Sequence, residues 1–141
     1  MSVNIKQAAD SGLGLVGVDP GDGGFLTASF PYSATSVDQT MFTADRTYII
    51  KAVRGRVDVA GTGGAATATI RKAASGTAII SGTALHTGSF NLVGTVNTQQ
   101  TLTVSTLASD LVIPAGTSIC IDLTGVLTSA LGTITVTLAP A

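Results

Sequence analysis

The residues of this chain that could do chemistry are few and scattered. The only histidine is His86, the only cysteine is Cys120, and every acidic residue is an aspartate. Cys120 and Asp122 alternate with apolar residues in "TSICIDLTG" (117–125), which places both side chains on one face of a strand. A nucleophilic site needs a base and an orienting group beside such a pair. No histidine or second carboxylate is close in sequence, so the stretch predicts an ordinary strand.

Two glycine-rich motifs near the start match ligand-binding signatures only in part. "GLGLVG" (12–17) fits G-x-G-x-x-G, but that fingerprint needs a helix directly after it, and Pro20 with its neighbouring glycines opposes one. "DPGDGG" (19–24) places two carboxylates around a turn, whereas a calcium loop needs more oxygen ligands and usually a glutamate. The sequence therefore predicts no cofactor and no metal.

His86 lies in "ALHTGSF" without a nucleophile motif around it. No G-x-S-x-G surrounds any serine, and a metal site needs more strong ligands than one histidine. We expect a histidine at the surface or rim of the fold, no catalytic residues, and a protein that is not an enzyme.

The composition favours an all-β protein. The chain has 141 residues, 45% of them hydrophobic, with 17 glycines and only 11% charged residues. Threonine and alanine are abundant, and glutamate, which long helices use, is absent. So low a charge predicts a surface that partners cover. No apolar run approaches the ~18 residues of a membrane helix, and no signal-peptide pattern is present, which predicts assembly in a reducing cytoplasm and no membrane partner.

Strand patterns begin clearly at residue 46. Apolar residues alternate with threonine or charge in several short runs between turns, among them 47–60, 65–73, 100–106, 117–125 and 132–141. In the first run, Ile50 is expected on the same face as Arg54 and Arg56, opposite Val53. The pattern predicts an antiparallel β-sandwich over 46–141, jelly-roll-like or immunoglobulin-like.

Residues 1–45 alternate poorly and predict an extended, glycine-rich N-terminal arm. This segment holds most of the aromatic side chains, which are Phe25, Phe30, Tyr32 and Phe42. We expect the arm to adhere to neighbouring subunits through these aromatics, which are therefore candidate interface residues.

Charge is distributed unevenly along the chain. Residues 1–45 carry one lysine and five aspartates, whereas residues 46–72 carry six basic residues and one aspartate. Arg54 and Arg56 share a strand face and are the candidate residues for a subunit contact through arginine–carboxylate pairs. An ordinary surface strand is the alternative. Nucleic-acid binding would need more charge and interleaved aromatics, so no nucleic-acid partner is expected.

Residues 46–140, especially "YIIKAVRGRVDVAG", "ATATIRKA" and "ASDLVIPAGTSICIDLTG", resemble small structural proteins of tailed-phage virions. Such proteins are head-decoration, cement or head-fibre proteins. The resemblance implies a jelly-roll-like subunit in the virion that binds the major capsid protein, often as a homotrimer, and stabilises the head. The N-terminal arm would then be an anchor or a strap between subunits.

The alternative function is a carbohydrate- or receptor-binding module of a phage tail or fibre. Sugar sites commonly use exposed aromatic rings. The chain has no tryptophan and only two tyrosines, which favours the capsid role.

Overall fold

The computed structural model describes residues 24–141, which form ten strands and two very short helices. The strands are β1 Leu26–Tyr32, β2 Gln39–Thr43, β3 Tyr48–Val59, β4 Ala66–Ala73, β5 Thr83–Ala84, β6 Phe90–Asn91, β7 Gln99–Leu102, β8 Val112–Ile113, β9 Ser118–Gly125 and β10 Leu131–Pro140. A 3-10 helix covers Ile79–Ser81, and helix α1 covers Ala108–Leu111.

The strands form two antiparallel sheets. Sheet A has the order β1-β10-β3, and the short strands β7 and β8 both pair with the other edge of β3. Sheet B has the order β2-β9-β4, and β5 and β6 both pair with the other edge of β4. When each pair of short strands is taken as one interrupted strand, two four-stranded sheets remain, in the strand order of a jelly roll. The prediction of an all-β, jelly-roll-like sandwich is confirmed.

The core lies between the two sheets. On β10, Ile134, Val136 and Leu138 are fully buried, as are Ile70 on β4 and Ile121 on β9. The intervening threonines of β10 point away from this core and are half-buried. Alternation of this kind places one apolar face of each sheet against the other, which is the usual origin of sandwich stability.

The segment predicted as an extended arm contributes two strands to the sandwich. β1 pairs with β10 along its whole length, from Leu26↔Leu138 to Tyr32↔Gly132, and β2 pairs with β9. Both are edge strands, a position that tolerates Pro31. The predicted boundary at residue 45 thus separates strands that belong to one sandwich. The arm prediction for residues 1–23 lies outside the described residues.

A β-bulge in β3 changes which residues face the core. The pairing with β10 shifts between Thr137 and Leu138, whose partners are Ala52 and Ile50, so that Lys51 is the extra residue. One extra residue reverses the alternation on either side of it. Ile50 is therefore buried on the same side as Val53, and the prediction that it shares the outer face with the arginines is wrong.

Candidate interaction surface

The four aromatic candidates have different environments. Phe30 and Tyr32 are buried in the core, at 7% and 1% exposure. Phe42 is half-buried, and its ring packs edge-on against Tyr48 with the centroids 5.5 Å apart. Phe25 is 69% exposed. Three of the four predicted contact residues thus support the fold of this chain, and Phe25 alone is freely available to a partner.

The Tyr32 hydroxyl is buried and has no hydrogen-bond partner among residues 24–141. Burial, and secondly the negative charge of Asp58, raises the pKa of Tyr32 to about 12. The phenol therefore stays protonated at neutral pH. It serves as a large core side chain rather than as an acid or base.

His86 is buried, not placed at the surface or rim as predicted. Its Nε2 atom accepts a hydrogen bond from the Ile70 N–H (2.9 Å), which leaves Nδ1 protonated and facing the Thr87 carbonyl at 3.3 Å. Burial lowers the pKa of His86, so the ring is neutral and fixed. Because one ring nitrogen is hydrogen-bonded to a backbone amide of β4, His86 attaches its loop to sheet B.

Cys120 and Asp122 share a face of β9, as predicted, but that face is covered. Asp122 accepts a hydrogen bond from Arg71 Nε at 2.7 Å, and Arg71 Nη1 also donates to the Gly82 carbonyl at 3.0 Å. The segment with the 3-10 helix packs over β4 and β9 here. Cys120 is 1% exposed. No cluster of three metal-ligating residues occurs within the described part of the chain.

The basic residues of 46–72 divide into an internal and an external set. Arg71 binds Asp122, and Lys72 Nζ donates to the Val112 carbonyl (2.9 Å) and to that of Ser109. These two cationic side chains are therefore bound to groups of the same chain. Arg54 and Arg56 instead stand exposed on β3 and face away from the core, as the strand pattern predicts.

The outer face of sheet A is the surface that carries Arg54 and Arg56. Its centre is a shallow depression of about 280 Å³, lined by Arg54, Gly55, Arg56, Gln99, Thr133 and Thr135. Arg56 is held by Asp58 (3.1 Å) and by Asn97 Oδ1 (3.2 Å). Arg54 makes no ion pair within residues 24–141. The face is therefore cationic and hydroxyl-rich, and its depression has no aromatic side chain in its lining.

Comparison with solved structures finds a similar fold in a chain of a phage capsid. No protein-family model matches the sequence, and no curated protein sequence matches it. A chain of the capsid asymmetric unit of cyanophage Pam1 superposes with a TM-score of 0.52 at 18% identity, over 97% of this chain and 99% of that chain. A chain of infectious bursal disease virus, Gx strain, aligns at 20% identity with a TM-score of 0.36, over 89% of this chain and 36% of that chain.

The jelly roll is the class that the strand order of residues 24–141 defines, and the Pam1 capsid chain has a similar fold. At this identity the likeness concerns the fold. Among residues 24–141, no helix is long and apolar enough to cross a membrane.

Proposed function

We propose that this protein is a non-enzymatic structural subunit of a phage virion, and specifically a decoration or cement protein that binds the major capsid protein and stabilises the head. The observation that carries the proposal is the whole-length match to a chain of similar size in a phage capsid asymmetric unit. The internal use of His86, Cys120 and Asp122 supports a role without catalysis.

The outer face of sheet A is the proposed contact with the shell. Arg54 has no carboxylate partner within the described residues, and a guanidinium can bind a partner's carboxylate through two parallel hydrogen bonds. β3 lies between β10 and β7, so the backbone that carries the arginines needs little reordering on binding. A homotrimer would bind several shell sites at once, which raises the apparent affinity without new contacts.

The experiment is co-sedimentation of the purified protein with empty phage shells built from the major capsid protein. We expect saturable binding that weakens as salt is raised, because the contacts are charged. Arg54→Glu is expected to reduce the affinity by about tenfold or more, since it places a carboxylate against carboxylates. Arg46→Glu is the matched control, because it makes the same change of charge at an exposed position in the loop between β2 and β3.

Two results would overturn the proposal. One is a folded protein that does not bind the shells at any salt concentration. The other is that Arg46→Glu and Arg54→Glu weaken shell binding equally, which would show that the outer face of sheet A is not the contact surface. Binding to a glycan array without binding to shells would support the tail or fibre module instead.

A further inference from the structure

One end of the sandwich brings four loops together. Because the strands are antiparallel, Tyr32 faces Gly132, Val59 faces Leu131, and Ala66 faces Gly125 at the same end. The loops that leave these strand ends cover residues 33–38, 60–65, 92–98 and 126–130. We call this surface, with the adjoining strand ends Val59 and Leu131, the four-loop tip.

Backbone hydrogen bonds join these loops into one surface. The Gly61 N–H donates to the Leu92 carbonyl (3.0 Å), and the Thr62 N–H donates to the Thr128 carbonyl (2.8 Å). The remaining loop is tied down by Asp38, whose Oδ1 accepts from the Leu123 N–H at 2.7 Å. The four-loop tip is therefore an ordered surface rather than a set of separate loops.

Exposed apolar side chains concentrate at the four-loop tip. Eight large hydrophobic side chains are exposed among the described residues, and the tip carries five of them: Val37 (66%), Val59 (44%), Val96 (40%), Val126 (43%) and Leu131 (46%). The other three, Phe25, Ile80 and Leu107, belong to segments at the opposite end. Apolar side chains grouped in this way on a surface mark a protein contact.

The tip is almost without charge. Its four loops contain no lysine or arginine, and Asp38 is their one charged residue. That carboxylate already accepts a backbone hydrogen bond, and nearby Asp58 pairs with Arg56 at 3.1 Å. The opposite end differs, because it carries Asp45, Arg46 and Asp110.

We propose that the four-loop tip packs against the four-loop tips of other copies of this chain around a shared symmetry axis. A neutral apolar surface meets its own copy without like-charge repulsion, whereas a charged partner would lose hydration there and gain no ion pair. Contacts between equivalent patches also generate the closed symmetry of most homo-oligomers. The inference deepens the proposed function, because it assigns the surface through which subunits associate and leaves Arg54, on the outer face of sheet A, for the shell.

The test is the molar mass of the full chain by light scattering during size-exclusion chromatography. We expect the wild-type protein to elute as an oligomer. Val126→Asp and Val37→Asp are each expected to shift it to the monomer mass, because they bury a carboxylate in the contact. The matched controls Ile80→Asp and Leu107→Asp, at exposed apolar positions of the opposite end, are expected to keep the oligomer. Thermal unfolding checks that each variant is folded.

A wild-type monomer at micromolar concentration would overturn the inference. The inference would also be overturned if Val37→Asp and Val126→Asp left the mass of the oligomer unchanged while Ile80→Asp or Leu107→Asp dissociated it. Shell binding distinguishes this failure from failure of the proposed function. Monomeric Val126→Asp is expected to bind shells with reduced apparent affinity, through loss of avidity, whereas Arg54→Glu is expected to remain an oligomer and lose shell binding.

Discussion

At the scale of single residues, Arg71, Asp122 and His86 are placed where a neighbouring strand or loop satisfies their polar groups. Arg71 and Asp122 form an ion pair across β4 and β9 with side-chain exposures of 24% and 7%. His86 accepts the Ile70 N–H and faces the Thr87 carbonyl. Each of these residues holds a covering segment onto sheet B, which explains why side chains capable of chemistry are buried without forming a reactive site.

The buried His86 makes the stability of the fold sensitive to mild acid. Burial lowers its pKa in the folded state below the ordinary value of 6.5, so the unfolded chain binds the extra proton first. The contribution to stability is fully present above pH 6.5 and is lost as the pH falls from there toward the folded pKa. We expect the free energy of urea unfolding to fall between pH 7.5 and 5.5, by at most about 1.4 kcal/mol per pH unit.

His86→Gln is the control for this prediction, because the amide oxygen can still accept the Ile70 N–H but does not titrate. The variant is expected to lose most of the pH dependence in the same range, where aspartates remain largely ionised. A wild-type stability that does not change between pH 7.5 and 5.5 would contradict it.

At the scale of elements, the two sheets pack against each other at the centre of β3. Gly55 has no side chain, and the ring of Phe90 from sheet B occupies the space above it. A Cβ atom at Gly55 would lie 2.9 Å from two carbon atoms of that ring. An aromatic ring that covers a glycine across a sheet allows close packing of both. The local pattern of a strand does not reveal such a pair, because its members are 35 positions apart.

We expect Gly55→Ala to destabilise the protein by about 1–3 kcal/mol, because the added methyl group displaces a ring that is only 1% exposed. Chemical unfolding monitored by circular dichroism measures the change. Adding Phe90→Leu to Gly55→Ala is expected to recover part of the loss, since the smaller side chain leaves room. Thr101→Ala, on the exposed face of β7, serves as a surface control. An unchanged unfolding midpoint in Gly55→Ala would refute the packing argument.

At the scale of the whole molecule, the sandwich closes through contacts between distant parts of the chain. β1 near the start of the described residues pairs with β10 at the end, and β2 pairs with β9. The sandwich therefore needs residues 26–43, which a domain that began after residue 45 would lack.

Two truncations test this organisation. Deletion of residues 1–23 leaves in place every strand described for residues 24–141, and we expect a folded protein with cooperative thermal unfolding. Deletion of residues 1–45 removes β1 and β2 and exposes the edges of β10 and β9, so we expect aggregation or loss of cooperative unfolding. A cooperative, monodisperse protein without residues 1–45 would show that β1 and β2 are dispensable.

The sequence by itself determined the all-β class, a sandwich of two antiparallel sheets and the outward direction of Arg54 and Arg56. These follow from composition and from a two-residue alternation, which are local properties. It did not reveal the face of Ile50, the burial of Asp122, or the inclusion of Phe30 and Tyr32 in the core. These three features were decided by a bulge at Lys51, by the segment around the 3-10 helix that covers sheet B, and by the pairing of β1 with β10. Only tertiary structure could decide them, because each depends on a partner distant in sequence.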